Sequence, residues 1–416
     1  MAKARARRKK SAAAAARGGS VDMVVVGGAG HVGLPLAITF AHTGLSVVVH
    51  DIDAAALKTI AKGKLPALER DAEPLLRKSL SSGCLSVSSD PESVKRADTV
   101  VITVGTPVDE FLNPIHRTVK DCIDGIKPYL RNEQLLVLRS TVFPGTTDWL
   151  AGYLKDQGLV PRLAFCPERV VQGYAIREIQ SMPQIVSGTT PKALAAARSL
   201  FRKVAPEVVE LAPMEAEFAK LFNNSYRYIQ FAITNQFYMI ANAAGVDYYR
   251  ILDAMTRNYP RAESMPTAGL TAGPCLFKDT MQLAAFARNQ FGLGHAAMLV
   301  NEGLVLHMIE RLRALFSLRD MTVGLLGMAF KPDSDDIRSS LSYKIKKDLA
   351  IHAKRILTTD PLVTADPSLL PLKRVIKESD LLILCVPHRA YKGLDTRGKP
   401  ILDIWNFLGG KTIRLY

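Results

Sequence analysis

The chain has 416 residues, 48% of them hydrophobic and 22% charged, with a formal net charge of +15. That is enough chain for two or three domains with real cores, and the composition is that of a soluble globular protein. No stretch of eighteen uninterrupted apolar residues occurs, so no helical membrane span is expected. The five cysteines (Cys84, Cys122, Cys166, Cys275, Cys385) are far apart and form no CxxC pair or Cys/His cluster. Neither a zinc site nor a disulfide framework is expected, no metal is implied, and a reducing cytoplasm fits best.

Residues 1–20, MAKARARRKKSAAAAARGGS, hold seven basic side chains and no acid. The segment reads as a solvated, disordered tail; an arm for nucleic acid or an anionic surface and an organelle transit peptide are the alternatives. The positive excess of the remaining chain suits an anionic substrate such as a nucleotide.

From Val21 the pattern is strand, glycine-rich turn, helix, strand: Met23–Val26, a helix to about Thr43, then Ser46–His50 ending at Asp51. Further apolar runs at 99–105, 135–140, 162–167 and 184–188 alternate with amphipathic segments, which predicts a parallel, doubly wound sheet. After Pro213 the chain runs some thirty residues to Gly245 without glycine or proline. This reads as one long helix, with a mainly helical region continuing to about residue 315. Strand-like runs then return at 322–336, 355–361, 381–388 and 400–405. Their order echoes the first part: MVVVGGAG parallels TVGLLGMAF, SVVVHDID parallels RILTTDP, and DTVVITVGTP parallels DLLILCVPH. The expected architecture is two Rossmann-like doubly wound α/β domains joined by a central helical domain with one long helix. The boundaries are 1–20 tail, 21–212, 213–315 and 316–416, with one nucleotide-type crevice per α/β domain.

Gly28-Ala29-Gly30-His31-Val32-Gly33 is a GxGxxG that follows a strand, opens a helix and precedes an acid, Asp51, by the usual interval. Gly28 allows the tight turn, Gly30 lets backbone approach a pyrophosphate, and Gly33 lets helix and strand pack closely. The helix N-terminus offers amides and partial positive charge to phosphates. Asp51 suits adenosine ribose hydroxyls and repels a 2′-phosphate, so NAD is expected rather than NADP. Asp53 competes for that role but lies past the strand end.

Lys220 and Asn224 stand one turn apart on the long helix, among Phe218, Leu221, Phe222 and Tyr226. An amine and an amide side by side are suited to an alcohol oxygen that gains charge as hydride leaves. Cys275 lies in TAGLTAGPCLFKDTMQL, three residues before the Lys278–Asp279 pair and just ahead of a helix-like pattern. A lone cysteine is ordinarily a small buried hydrophobe, and Cys84, Cys122, Cys166 and Cys385 are read that way.

Together, GGAGHVGLPLA (27–37), VGTP (104–107), RSTVFPGTT (139–147), PERV (167–170), EAEFAKLFNNSY (215–226), GPCLFKDT (273–280) and GMAFKPDSDDIRSS (327–340) resemble the nucleotide-sugar 6-dehydrogenases, the UDP-glucose and UDP-N-acetylhexosamine dehydrogenases. The resemblance implies a four-electron oxidation with two NAD: C6 alcohol to aldehyde, thiolate addition, oxidation to a thioester, and hydrolysis to the uronic acid. It implies Cys275 as nucleophile, with Lys220 and Asn224 polarising the C6 oxygen. Asp279 would work with the lysine on water, Glu168 would act as base for hydrolysis, and Thr141 would lie near the reacting carbon. Thr106 and Arg338 would flank the cofactor, together with Gly28, Gly30, His31, Val32, Gly33, Asp51 and Thr141. Glu168, Arg169, Val170, Lys220, Asn224, Lys331 and Arg261 would meet the UDP-sugar, Arg261 reaching into a neighbouring subunit. Positive charge from Lys220 or Lys278 would favour the thiolate.

Leu270 and Ala272 stand where the family carries glycines before the cysteine, and Gln172 where the UDP-glucose branch carries a second acid. PERV resembles the N-acetylhexosamine branch and CLFKDT the UDP-glucose branch; an N-acetylated hexose or a related nonstandard sugar is the expected substrate, with UDP-glucose as the alternative. A homodimer or higher homo-oligomer through the long helix is expected, with no membrane association. The competing reading is a two-electron hydroxyacid or 6-phosphogluconate-type dehydrogenase, which shares the Lys-x-x-x-Asn helix. It lacks the cysteine nucleophile and the second α/β domain. A non-catalytic nucleotide-sugar or nucleic-acid binder is a third.

Overall fold

Val21–Val26 (β1) sits at the centre of a six-stranded parallel sheet of order β3-β2-β1-β4-β5-β6, with β2 Val47–His50, β3 Leu85–Ser88, β4 Ala97–Ile102, β5 Leu135–Leu138 and β6 Arg162–Phe165. The structure is a computed structural model and describes residues 21–115, 117–409, 412, 413 and 415; the tail reading of residues 1–20 lies outside the described residues. The chain forms two units, one ending at Lys220 and the other beginning at Leu221.

In the first unit the sheet is buried on both faces, as parallel sheets are. Met23 and Val25 of β1 enter one core with Phe40, Ile60 and Phe201, while Val24 and Val26 enter the other with Ile102, Leu138 and Phe165. The helices are α1 Gly33–His42, α2 Ala54–Ala61, α3 Ala72–Ser81, α4 Arg117–Ile126, α5 Thr146–Asp156, α6 Ala175–Ser181 and α7 Pro191–Phe201. The order reverses between β1 and β4, which makes the loops after those strands the ligand crevice of this fold class. The run at 184–188 is not part of this sheet: β7 Gln184–Val186 pairs only with β8 Val208–Glu210. Three residues against three form a separate ladder there, and periodicity has no means to say which neighbour a short apolar run will find.

The long helix is α8, Pro213–Ala243. Proline takes the first helical position, where its missing N–H costs nothing, and the Glu215 carboxylate accepts the Ala212 N–H at 2.8 Å. Gly245, at φ +74°, ends it, with the Val246 N–H donating back to Ala241. The second unit adds α9 Tyr248–Thr256, α10 Leu276–Phe286, α11 Gly292–Leu315, α12 Leu341–Leu349 and α13 Leu372–Glu378. Its parallel sheet, order β10-β9-β11-β12, uses β9 Thr322–Leu326, β10 Arg355–Thr359, β11 Leu381–Leu384 and β12 Ile401–Leu402. Tyr238, Tyr248, Leu304, Met308, Leu325 and Ile383 share one core between these helices and this sheet.

Candidate active site

The glycine-rich turn is built as a phosphate cradle. The Gly28 N–H donates to His50 at 3.0 Å, tying the loop to β2. A Cβ on Gly28 would lie 2.5 Å from the Val25 carbonyl oxygen, and one on Gly33 would lie 2.6 Å from the Gly28 Cα. On Gly30 it would meet only the Gly27 carbonyl, at 3.5 Å, so this glycine borders open space. The left-handed turn residue is Gly27, at φ +72°, which the six-residue fingerprint did not single out. No side chain caps α1 and its first turn holds no acid, as an anion site requires. Asp51 Oδ2 accepts the Ala29 N–H and Oδ1 the Asp53 N–H, both at 3.0 Å, and the half-buried carboxylate faces the turn. Asp53 instead caps α2 through the N–H groups of Ala55 and Ala56. These residues fit an NAD pyrophosphate and ribose.

The neighbouring loops are tied to this crevice. The Thr103 hydroxyl donates to Val26 and Gly27 at 2.8 and 2.9 Å, and the Thr106 hydroxyl to the Thr141 carbonyl at 2.5 Å. Glu168 is buried, and neither of its oxygens is idle. Oε1 accepts the N–H groups of Arg169 (2.7 Å) and Val170 (3.0 Å), and Oε2 accepts Arg139 Nη2. Arg139 is fully buried, donates also to Cys166 and Gln184 at 3.1 Å, and lies on the Phe201 ring. The carboxylate expected to act as a base is thus the anchor of its own PERV turn. On α8, buried Glu217 accepts the N–H groups of Gly145 (2.6 Å) and Thr147 (2.8 Å) and the Thr147 hydroxyl (2.6 Å). Burial raises its pKa, against the lowering effect of those bonds. Glu217 thereby fixes the Thr141–Thr147 segment to the helix one turn before Lys220, which is itself buried.

In the second unit Cys275 is exposed and occupies the N-cap of α10, where the helix dipole favours a thiolate. Arg338, whose guanidinium is bound to Asp336 at 2.6–3.0 Å, has its pKa raised by Asp336 first and further by the charge of Cys275. Arg338 is thus one cation whose charge is felt at the thiol, and the Lys278 ammonium is bound to Asp279 Oδ1 at 2.5 Å. Asp279 is fully buried, and its Oδ2 accepts the Asn224 amide at 2.5 Å. The loop ahead of the cysteine is held by buried amides. Asn235 bonds both the N–H and the carbonyl of Gly269, and also Asn301, at 2.9–3.0 Å. A Cβ on Gly269 would collide with Trp405, and one on Gly273, at φ +105°, with Phe330. Leu270, at a family glycine position, turns its side chain into the core, so the loop keeps glycine only where Trp405 and Phe330 press on it.

In the second nucleotide-type crevice the carboxylate that parallels Asp51 is enclosed. Asp360, the counterpart of Asp51, accepts the N–H groups of Met328, Ala329, Leu362 and Val363 at 2.6–3.0 Å, and His388 Nε2 lies at 3.1 Å. Burial raises its pKa, but the His388 contact and these amides outweigh that and lower it to about 2. A carboxylate this enclosed has no lone pair left for a ribose hydroxyl, so Asp360 is no counterpart of Asp51 as a ribose acceptor.

Three models of one family match the chain in order. They are its NAD binding domain over residues 22–205, its central domain over 214–303 and its UDP binding domain over 324–410. The chain belongs to the UDP-glucose/GDP-mannose dehydrogenase family. It is an oxidoreductase and NAD is its cofactor. The UDP-N-acetyl-D-mannosamine dehydrogenase of Pyrococcus horikoshii is 29% identical over 412 residues, covering 92% of this chain and 96% of the relative. A solved structure of UDP-D-ManNAc dehydrogenase from that organism has a TM-score of 0.87 at 28% identity, covering 94% of this chain and 97% of the other. The structure of a UDP-glucose dehydrogenase from Pyrobaculum islandicum gives 0.85 at 27% identity, covering 92% and 94%.

The remaining family positions are spread through the second unit. Arg261 is exposed and donates to Tyr259 at 3.1 Å, and Lys331 follows Phe330 in the loop after β9. Cys166 and Cys385 are buried, their thiols pushed up to about 12 by burial, and Cys122 is pushed up to about 11 for the same reason; Cys84 is partly exposed. Among the described residues no helix is long and apolar enough to cross a membrane, and no cluster of side chains suits a metal.

Proposed function

We propose that this enzyme oxidises the C6 alcohol of a UDP-N-acetylhexosamine to the UDP-uronic acid, taking four electrons, for glycoconjugate or polysaccharide precursors. The observation that carries the reading is the exposed Cys275 at the N-cap of α10, in a chain spanned by all three domains of the family. When bound, NAD supplies the hydride acceptor, once per oxidation. Lys220 and Asn224 stabilise charge on the C6 oxygen as the alcohol loses its proton. The Cys275 thiolate adds to the aldehyde carbon, giving a thiohemiacetal whose carbon again carries a transferable hydrogen. Loss of that hydride leaves a thioester. Water attacks it, the C–S bond breaks, and carboxylate and thiol are released.

The resemblance gives Glu168, Thr141, Arg169, Val170, Arg261 and Lys331 to the UDP-sugar, and Thr106, Thr141 and Arg338 to the cofactor side. Domains at 21–212, 213–315 and 316–416 divide the work. The exposed apolar face of α8, Phe222, Tyr226, Ile233, Phe237 and Ile240, recurs at helical spacing and suits a homodimer. The cytoplasm is the compartment we assign.

The test offers UDP-sugars to the wild type and to Cys275→Ser and counts NADH per sugar. Two NADH and a UDP-uronate are expected from the wild type, and at most one from the serine variant. One NADH with an accumulating carbonyl in the wild type restores the two-electron reading.

A further inference from the structure

The second unit's sheet reverses its order between β9 and β11, so the loops following those strands border the crevice where a ligand of this fold class binds. His388, after β11, joins them. Its Nδ1 accepts the Asp333 N–H at 3.0 Å, so the proton resides on Nε2, which donates to Asp360 Oδ2 at 3.1 Å. Both side chains are fully buried. The loop after β9 is thereby pinned on both sides of Lys331. Before it, the Met328 and Ala329 N–H groups are held by Asp360 and the Phe330 N–H by Asp336; after it, Asp333 is held by His388. Asp333 has φ +54°, a conformation a non-glycine residue keeps only where its surroundings enforce it. Arg389 adds a second hold, its N–H and Nε donating to the Asp333 carboxylate at 3.0 and 2.5 Å.

We propose that His388 is a positioning residue for the UDP moiety: its Nδ1, left as the acceptor because Nε2 faces Asp360, takes the Asp333 N–H and sets the Phe330–Asp333 loop at the mouth of the crevice. The proposal rests on residues 324–410 being the UDP-binding domain. The same imidazole that closes Asp360 to a ribose shapes the loop for a different nucleotide.

Two substitutions separate the two bonds. His388→Asn sets an amide oxygen near the place of Nδ1 and keeps the bond to Asp333. His388→Gln sets an amide nitrogen near the place of Nε2 and keeps the bond to Asp360. UDP affinity is read by calorimetry on the full chain, beside KM for UDP-sugar and for NAD. His388→Gln is expected to weaken UDP binding about five- to tenfold, the size of one lost hydrogen bond, with KM for NAD unchanged. His388→Asn is expected to stay within about twofold of wild type. Equal weakening in both, weakening in neither, or weakening of the asparagine variant alone overturns the proposal. Should both variants fail to fold, hydrogen exchange in the wild type decides. The Asp333 amide is expected to be protected before ligand is added, and exchange at the rate of an exposed loop overturns the clamp. A wild type that binds no UDP removes the UDP-domain reading instead, while Asp333 protection still judges the clamp.

Discussion

The amide nitrogen of Asn224 lies 2.5 Å from Oδ2 of the fully buried Asp279, which holds the Lys278 ammonium on its other oxygen, also at 2.5 Å. This fixes which way the Asn224 amide faces: nitrogen to the aspartate, with a second N–H left to point elsewhere. Asp279→Asn sets an amide against the Asn224 donor and strips Lys278 of its counter-charge. Breaking such a pair costs about 3–5 kcal/mol, read as a lower urea midpoint. Loss of Asn224 orientation lowers kcat about a hundredfold, the scale of one oxyanion donor. A variant with wild-type kcat would remove Asn224 orientation from the mechanism.

Arg139 and Glu168 form the corresponding buried pair of the first unit. Arg139→Met leaves a carboxylate buried without its cation and is expected to cost about 3–5 kcal/mol. Arg139→Met with Glu168→Gln recovers part of that, because no uncompensated charge remains; the bonds from Arg139 to Cys166 and Gln184 stay lost. A double-mutant cycle in urea measures the coupling. Additive costs would mean that the pair is not coupled, and that Glu168 anchors the PERV turn without help from Arg139.

The fingerprint was legible because its parts are local. Gly28, Gly33 and Asp51 belong to one strand-turn-helix-strand unit, and at Gly28 and Gly33 a Cβ would collide with the backbone. The long helix was legible because nothing in it breaks one. Arg139, Asn235, Asn301 and His388 were not, since each is defined by partners 27 to 73 residues away, and a buried polar side chain has no periodic signature. The closure of Asp360 was missed for the same reason. Sequence parallels aligned it with Asp51, and a histidine from another strand's loop and two further backbone N–H groups distinguish them. Leu270 looked like a missing glycine; its side chain is buried in the core, and the tight contacts of this loop fall at Gly269 and Gly273.

Asp360 carries a stability signature in acid. Its folded pKa, about 2, lies below the ordinary 3.8. A depressed acid adds stability that is fully present above the unfolded value and lost as pH falls through the folded one. The window is therefore pH 4 down to 2, and the size is about 2 kcal/mol. Chemical denaturation at stepped pH should show the wild type losing this increment across that window, and Asp360→Asn, already less stable at neutral pH, losing correspondingly less. Parallel acid limbs for the two proteins would contradict the assignment.

Asp51 and Asp53 are two residues apart and do different work. Asp51 receives the Ala29 N–H of the glycine turn and faces the crevice; Asp53 spends its carboxylate on the first turn of α2. Asp51→Ala removes the acceptor we propose for the ribose and, with it, the charge that would repel a 2′-phosphate. KM for NAD should rise about tenfold or more, with NADP discrimination falling at the same time, since one charged hydrogen bond is worth about 1.5–3 kcal/mol. Asp53→Ala removes an N-cap, so about 1 kcal/mol of stability is lost while KM for NAD stays near wild type. Steady-state kinetics with both cofactors, beside thermal melts of both variants, reads the four quantities. If Asp53→Ala raised KM and Asp51→Ala only lowered Tm, the ribose would belong to Asp53, and capping geometry would have misassigned the crevice.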